Sequence, residues 1–347
     1  MNIKKIALSI LLIIIIVVFG AIIIFVPTKD ISVSSNTTND RFNMKKEETF
    51  NIVTTNFASY DFIRAIVGDD ANITFLLGPG KDSHSYEPTA QDIINIQKSD
   101  VFVYVGGEME KWTDKVLSSI DLKKTRTFCV ADYVDVMEEK HVDGAEDVHE
   151  HEEISGDVHE DNEEEYSFDE HIWSSPSNAI KMVTVLRDVI IEIDEKNAES
   201  YRKNAENYIN EIKLVQSEIK EIVDNKVRDR LVFGDKMPMQ YFLEEYGLTA
   251  SAAFTGCSTE TEPSAATIAY LVNKVKEEEI PVVLYIELNT GKVANLIANE
   301  VNLETGSNVV SMQIQTLHNV SKDDFDNGET YVSLMRRNLE VLEKALQ

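Results

Sequence analysis

Apolar and polar positions alternate along most of the chain in the manner of a parallel α/β protein. Short apolar runs, such as residues 51–58, predict buried strands, and the run that follows, residues 60–68, has the apolar spacing of a helix ended by Gly68. This alternation occurs between residues 49 and 192 and again between residues 225 and 347. We therefore predict two α/β lobes, each a small parallel sheet flanked by helices.

A longer apolar stripe separates the two series. Its members recur at alternating steps of four and three residues, namely Tyr201, Ala205, Tyr208, Ile212, Val215, Ile219 and Ile222. Such spacing predicts one helix of about 25 residues, or ~40 Å at about 1.5 Å per residue. We expect residues 193–224 to form a rigid helix that joins the two lobes and braces them.

The start of the chain is strongly apolar. Residues 6–26 contain no charged side chain, and Lys4 and Lys5 precede them. This run is long enough to cross a bilayer, with the lysines on the cytoplasmic side. We expect residues 1–27 to be an uncleaved membrane anchor rather than a removed signal, and residues 28–48 to be a solvated tether. No cysteine directly follows the run, so lipid modification is not expected there. Anchored or secreted after cleavage, the remainder is expected outside the cytoplasm.

Negative charge is concentrated in one part of the chain. The formal net charge is −28, and residues 138–170 contain sixteen acidic side chains against one lysine. A chain this anionic does not bind nucleic acid or anionic lipid by charge, so cations are the expected partners. The same segment contains four histidines, which are His141, His149, His151 and His159. We expect a solvated loop whose imidazoles and carboxylates collect metal ions in weak, transient sites.

Two further histidines lie beyond the carboxyl ends of predicted strands, where parallel sheets bind their ligands. His84 occurs in GPGKDSHSYEPTAQD, between a Gly-Pro loop and a predicted helix, and His171 occurs in DEHIWSSPSNAI, shortly before another helix. Taken alone, each could be an ordinary surface residue. Imidazoles at two strand ends nevertheless suit a borderline metal such as zinc, which binds histidine, cysteine and carboxylate ligands.

These two stretches, with EPSAATIAYLVNKVKEEEIPVVLYIE and ETYVSLMRRNLEVLEKAL, resemble the metal-binding solute-binding proteins of zinc and manganese ABC importers. The resemblance runs from residue 51 to residue 347. It implies two lobes joined by a rigid long helix, with a metal ion held between them for delivery to an ABC permease. It also implies that His84 and His171 are the metal ligands of the first lobe.

The chain departs from this family at the third ligand. The family carries a histidine, or sometimes a glutamate, after the first strand of the second lobe, whereas LVFGDKMPMQYFLEEYG contains no histidine. Asp235 is the leading substitute, although it could instead be a helix cap or a loop residue. Glu287 matches a position close to the last carboxylate ligand of the family, where it either binds the metal or orients another ligand.

A nearby stretch, AAFTGCSTETEPS, supplies Cys257, Glu260 and Glu262 as competing ligands. The alternative is structural, with Cys257 as a buried free thiol and the glutamates capping the following helix. Cys129 and Cys257 fall in different predicted lobes, so a disulfide between them is not expected. His318 has no counterpart that we can align in the family and is expected at the surface.

We therefore interpret the chain as a monomeric extracytoplasmic receptor for a divalent metal ion, with Zn2+ favoured over Mn2+ or iron. It contains no His-Glu-x-x-His, Gly-x-Ser-x-Gly or phosphate-binding glycine loop, so enzyme activity is not expected. A surface adhesin, or a metal buffer that works without a transporter, stays open as the alternative function.

Overall fold

The computed structural model describes residues 50–83, 85–145, 168–258 and 262–347. The predicted anchor and tether therefore lie outside the described residues, as do His84, Glu260 and three histidines of the acidic segment. Within these four ranges, no helix combines the length and apolar character needed to span a bilayer.

The first lobe contains a parallel sheet of four strands in the order β2-β1-β3-β4. The strands are β1 (Phe50–Thr54), β2 (Ala71–Phe75), β3 (Val101–Tyr104) and β4 (Arg126–Cys129). Three helices connect them: α1 (Phe57–Val67), α2 (Ala90–Lys98) and α3 (Trp112–Ser119). Helix α2 begins after Thr89, whose side chain forms a capping box with Asp92.

The second lobe repeats this topology, with the order β6-β5-β7-β8 and all neighbours parallel. Its strands are β5 (Arg230–Met237), β6 (Thr249–Thr255), β7 (Val282–Ile286) and β8 (Val310–Ile314). The prediction of two lobes, each with a small parallel sheet flanked by helices, is confirmed.

Helices complete the second lobe and connect it to the first. Before β5 lie α4 (Pro176–Ile193) and α5 (Ala198–Asp224), and after it follow α6 (Gln240–Tyr246), α7 (Ala265–Glu277), α8 (Lys292–Thr305), α9 (Lys322–Asp326) and α10 (Tyr331–Leu346). Helix α5 is the predicted long helix, with 27 residues and the predicted apolar stripe largely buried. It begins at Ala198 rather than at residue 193, because α4 continues to Ile193.

One buried carboxylate connects the long helix to α1 and to the start of α10. Asp61, on α1, accepts hydrogen bonds from Tyr208 Oη on α5 and from the backbone N–H of Tyr331 at 2.8 Å. Arg64, one turn further along α1, also contacts Asp61 and donates to the Glu329 carbonyl at 3.0 Å. The C-terminal helix α10 therefore returns across the first lobe, and one apolar cluster runs through residues of both lobes.

The start of the acidic segment differs from the expected solvated loop. Residues 138–145 pack on the second lobe, where the Asp143 carbonyl accepts the Ala252 N–H at 3.0 Å and the Asp143 carboxylate pairs with Arg230 at 3.0 Å. The backbone N–H of Lys140 donates to Gln240 Oε1 at 2.8 Å. Main-chain and side-chain partners in α6 and β6 thus hold these residues, although His141 itself is exposed.

Candidate metal centre

His171 lies in a buried position between the two lobes. Its side chain is 0% exposed, and it precedes a single 3-10 turn, Ile172–Ser174, that leads into α4. Ser175 caps α4 by accepting the Asn178 N–H, and Pro176 occupies the first turn. These local signals end the preceding loop at a fixed point and therefore set the position of His171.

Asp169 orients His171. Its Oδ1 accepts the His171 backbone N–H at 2.8 Å and lies 2.9 Å from imidazole Nδ1. Burial by itself lowers the pKa of His171, but the Asp169 carboxylate opposes this and the net shift of the pKa is upward. A carboxylate on Nδ1 directs the other ring nitrogen, Nε2, toward a ligand in many metal sites.

His318 faces His171 from the second lobe. It lies in the turn after β8, is 8% exposed, and its ring centre is 5.2 Å from that of His171 at an interplanar angle of 68°. Its Nε2 contacts the hydroxyl of Ser83, in the Gly-Pro loop of the first lobe. The expectation that His318 is a surface residue was therefore wrong, because the turn after β8 folds into the joint between the lobes.

Glu287, at the end of β7, holds the turn that carries His318. Glu287 Oε1 accepts the His318 N–H at 2.9 Å, and Oε2 accepts the Thr316 N–H at 2.7 Å. The Thr316 hydroxyl lies 2.9 Å and 3.0 Å from the two carboxylate oxygens. Burial raises the pKa of Glu287, and these hydrogen bonds oppose the rise. Both oxygens are therefore engaged by donors from one turn.

Glu287 and His318 are each adjacent to a leucine whose backbone is in the left-handed conformation. Leu288, directly after Glu287, has φ of 66°, and Leu317, directly before His318, has φ of 62°. Left-handed conformations of this kind cost roughly 1–2 kcal/mol for a residue other than glycine. Glu287 and His318 are thus each adjacent to a residue that the surrounding structure holds in a disfavoured conformation.

Asp235 lies within β5 rather than in a loop or at a helix cap, so both structural alternatives for it were wrong. Strand β5 continues to Met237 with a register shift between Phe233 and Lys236. Asp235 Oδ1 accepts the Lys236 N–H at 2.9 Å, and burial raises the pKa of the carboxyl. The bulge therefore keeps Asp235 in the sheet while its side chain remains at the cleft.

An open cleft of about 260 Å³ lies between the Gly-Pro loop of the first lobe and the strand ends of the second lobe. Its wall includes Asp235, Glu287 and His318 from the second lobe and Asp82 from the first. Lys236 also lines it, with a side chain only 10% exposed and Nζ 3.9 Å from Asp82 Oδ2. Asp82, Asp235 and Glu287 offer carboxylate oxygens to a metal ion in this cleft, and His318 offers a ring nitrogen.

Cys257 lies beside a different carboxylate. Its thiol donates to Glu170 Oε2 at 3.1 Å, and its backbone N–H donates to Glu139 Oε1 at 3.1 Å. Burial raises the pKa of the Cys257 thiol well above its ordinary value, and the Glu170 carboxylate raises it further. In the metal-free chain these effects favour the protonated thiol. Cys257 and Cys129 are both free thiols, as expected.

Glu262 does not belong to the cleft. Its side chain is 80% exposed and lies 3.5 Å from Lys292 Nζ. The helix that follows, α7, is capped by Ser264, which accepts the Thr267 N–H at 3.1 Å. The expectation that glutamates cap this helix was therefore wrong for Glu262, and Glu260 lies outside the described residues.

The structure thus places Asp235 and Glu287 on one cleft with His318, which sequence reasoning missed, and places the ring of His171 against that of His318. A signal for His318 was present, because it follows β8 at the carboxyl edge of a parallel sheet, the criterion that selected His84 and His171. In the described part of the chain, no three histidine, cysteine or acidic side chains are already arranged to hold one ion.

Two parallel α/β lobes with a cleft lined by imidazole and carboxylate groups define a two-lobed ligand-binding protein. The model of the family described as zinc-uptake complex component A, periplasmic, matches residues 52–345. The chain belongs to this family.

Curated relatives agree with this assignment. The zinc-binding lipoprotein AdcA of Streptococcus pneumoniae is 31% identical over 299 residues, which is 85% of this chain and 55% of the relative. The high-affinity zinc uptake system protein ZnuA of Bacillus subtilis is 30% identical over 306 residues, covering 87% of this chain and 89% of the relative. The chain therefore spans about half the length of the AdcA proteins it matches.

Solved structures show the same fold. The Zn(II)-bound ZnuA-like domain of Streptococcus pneumoniae AdcA superposes with a TM-score of 0.67 at 29% identity, covering 86% of this chain and 99% of the domain. The metal-dependent lipoprotein YcdH of Bacillus subtilis gives a TM-score of 0.69 at 28% identity, covering 86% and 99% respectively.

Proposed function

We propose that this chain is an extracytoplasmic receptor that binds one divalent ion, zinc, between its lobes and delivers it to an ABC permease. The observation that carries the proposal lies at the joint between the lobes. There the buried ring of His171 faces the ring of His318, and His318 lines a cleft with the carboxylates of Asp235 and Glu287. Binding and release are the whole of this function, so no catalytic step is proposed.

The first lobe supplies the imidazoles of His84 and His171 in this proposal. Support for His171 comes from its burial and from the Asp169 carboxylate on Nδ1, which favours metal binding through Nε2. Support for His84 comes from its chain neighbour Ser83, whose hydroxyl contacts His318 at the same joint.

The second lobe supplies carboxylates. Asp235 is buried at the cleft and keeps its place in β5 through the bulge. Glu287 lines the same cleft, and its hydrogen bonds to the 316–318 turn favour an orienting role over direct ligation. Cys257 is a weaker candidate because its thiol is hydrogen-bonded to Glu170 and it is not among the residues that line the cleft, and Glu260 keeps the same low rank.

Zinc is favoured as the ion for two reasons. The relatives named above are zinc-binding or zinc-uptake proteins, and one of the solved structures contains Zn(II). Imidazole ligands also suit zinc, whereas a site made only of oxygen ligands suits manganese or magnesium. We propose that His141, His149, His151 and His159, with their acidic neighbours, collect ions weakly near the cleft.

Competition titration of zinc against manganese on the purified chain tests this function. We expect one tight zinc site that prefers zinc over manganese. Loss of either His84 or His171 by substitution to alanine should weaken zinc binding by about a thousandfold, ~4 kcal/mol. Asn308→Ala, at an exposed position remote from the cleft residues named above, is the control. A loss below about tenfold, ~1.4 kcal/mol, for both histidine variants would contradict the receptor assignment.

A further inference from the structure

We infer that the ammonium group of Lys236 is a competing cation built into the cleft, which weakens binding of the ion and takes its place after release. This inference rests on the proposed function, because it concerns the same ion. It goes further by assigning a residue that sets the affinity without binding metal. Lys236 lies in β5 and directly follows Asp235.

The bulge in β5 explains how Lys236 reaches the cleft. Successive residues of a strand normally project to opposite faces of a sheet. Asp235 and Lys236 are successive, yet both line the cleft. The register shift between Phe233 and Lys236 accounts for this, because a bulge re-aims the side chains around it. One wall of the cleft therefore carries a carboxylate and an ammonium group side by side.

The Lys236 side chain lies inside the cleft and not in solvent. It is only 10% exposed, whereas lysine usually extends its charged end into water. Its Nζ lies 3.9 Å from Asp82 Oδ2, in the Gly-Pro loop of the opposite lobe. An ammonium group buried without anionic neighbours is costly, and Asp82, Asp235 and Glu287 of the same cleft supply them. The ammonium group thus stands among the carboxylates that a metal ion would use.

The charges of the cleft imply competition between Lys236 and the ion. Three carboxylates line it, those of Asp82, Asp235 and Glu287, and like charges left close together in a partly buried site destabilise it. The ammonium group offsets this repulsion while the cleft holds no ion. When a divalent ion enters, the same group repels it, and the repulsion is stronger than in bulk water because the effective dielectric constant is lower. Lys236 therefore favours release of the ion.

Lys81 offers a matched comparison. It lines the same cleft and has the same charge, but it is exposed, whereas Lys236 is buried. Water and salt screen an exposed charge much more than a buried one. Removing the charge of Lys81 should therefore change zinc affinity by less than about twofold, whereas removing that of Lys236 should raise it by about tenfold or more.

The test uses the full chain with Lys236→Met, Lys236→Gln and Lys81→Met. Chelator competition measures the affinities for zinc and manganese, and we expect both neutral variants at Lys236 to bind each ion more tightly by about the same factor. Charge repulsion does not distinguish two ions of equal charge, whereas a change of ligand does. The glutamine variant shows that a gain in the methionine variant does not come from its sulfur.

Thermal melting of the metal-free proteins supplies a readout that needs no ion. We expect Lys236→Met and Lys236→Gln to melt at a lower temperature than wild type, because the carboxylates lose their cation. Lys81→Met should melt close to wild type. A lysine that only packs against the wall would lower the melting temperature without raising the affinity for either ion.

Three outcomes overturn the inference while the receptor assignment stands. The first is a gain in zinc affinity below about threefold, or a loss, in both neutral variants at Lys236. The second is a gain for zinc with no gain for manganese, and the third is an equal gain in Lys81→Met. Absence of tight zinc binding in the wild-type chain would instead remove the proposed function itself.

Discussion

In the described part of the chain, each lobe places one histidine at the joint, and a carboxylate holds each of these two histidines in a different way. In the first lobe, Asp169 Oδ1 bonds both the backbone N–H and the ring Nδ1 of His171, at 2.8 Å and 2.9 Å. In the second lobe, the Glu287 carboxylate accepts the backbone N–H of His318 at 2.9 Å and the backbone N–H of Thr316 at 2.7 Å. Asp169 therefore orients a ring, whereas Glu287 fixes the turn from which a ring projects.

The segments that carry the two histidines are also hydrogen-bonded to each other. Trp173, in the 3-10 turn after His171, donates its indole N–H to the Thr316 carbonyl at 3.1 Å. Its own carbonyl accepts the hydroxyl of Tyr331 at 2.9 Å. The turn that Glu287 holds is therefore also held by the segment that Asp169 orders. Neither lobe forms its half of the site independently of the other.

Glu110, a buried carboxylate beside the joint, should make the metal-free chain less stable as pH rises. Its Oε2 accepts the N–H groups of Val105 and Gly106 at 2.7 Å and 2.9 Å, yet burial raises the pKa of Glu110 to about 7 from its ordinary 4.5. Since the folded chain then binds the extra proton, stability falls between pH 4.5 and about 7.

Glu110→Gln should remove this dependence, because the amide oxygen can still accept both N–H groups without ionising. The wild-type loss is about 3 kcal/mol of unfolding free energy across that range. Urea melts of the metal-free chain at a series of pH values measure it, with Glu108→Gln, at an exposed neighbouring position, as the control. If the unfolding free energies of wild type and Glu110→Gln changed with pH in the same way, the prediction would be contradicted, because ionisation of Glu110 would then not destabilise the fold.

Asp169→Asn tests the arrangement that orients a ring. The asparagine keeps the size of the side chain but replaces the carboxylate on His171 Nδ1, so the ring is no longer fixed in one tautomer. We expect zinc affinity to fall about 10–100-fold, the usual cost of losing such a partner. Asp135→Asn, at a carboxylate whose side chain is 98% exposed, is the matched control. Unchanged affinity would mean that Asp169 supports the fold and not the site.

Glu287→Gln tests the arrangement that fixes a turn. A glutamine offers one acceptor oxygen, so one of the Thr316 and His318 N–H groups loses its partner, at a cost of about 1–3 kcal/mol. We expect this loss mainly in the stability of the metal-free chain, with a fall in zinc affinity of about tenfold. Thermal melting and chelator competition measure the two quantities, with Glu340→Gln on α10 as control. A thousandfold loss of affinity without loss of stability would identify Glu287 as a direct ligand.

Deletion of residues 146–165 should have the smallest effect on the tight site. The deletion leaves in place residues 138–145, which pack on the second lobe, and removes the stretch containing His149, His151 and His159. We expect the tight zinc site to be retained and the weaker ions to be lost, as measured by zinc stoichiometry after dialysis. Loss of the tight site would show that this stretch contributes a ligand to it.

The fold was largely predictable because its information is local. Apolar runs and helix caps such as Ser175-Pro176 act over a few residues, and the stripe from Tyr201 follows one helix face. The same holds for half of the site, since Asp169 and His171 are two positions apart and belong to one motif.

The other half of the site depends on contacts between distant residues. Glu287 and His318 are 31 positions apart, and His318 reaches Ser83 across a separation of 235. The position of His318 after β8 marked it as a candidate, but its contact with Ser83 depends on how the two lobes pack, which no short stretch of sequence indicates. The start of the acidic segment was misjudged for the same reason, since its partners are in β6 and α6.

A crystal structure of the zinc-loaded chain, with anomalous diffraction recorded at the zinc edge, tests the convergence of both lobes on one ion most directly. We predict a single strong peak beside His171, within bonding distance of side chains from both lobes. A peak bound by residues of one lobe alone, or a joint without zinc in crystals saturated with it, would contradict the account.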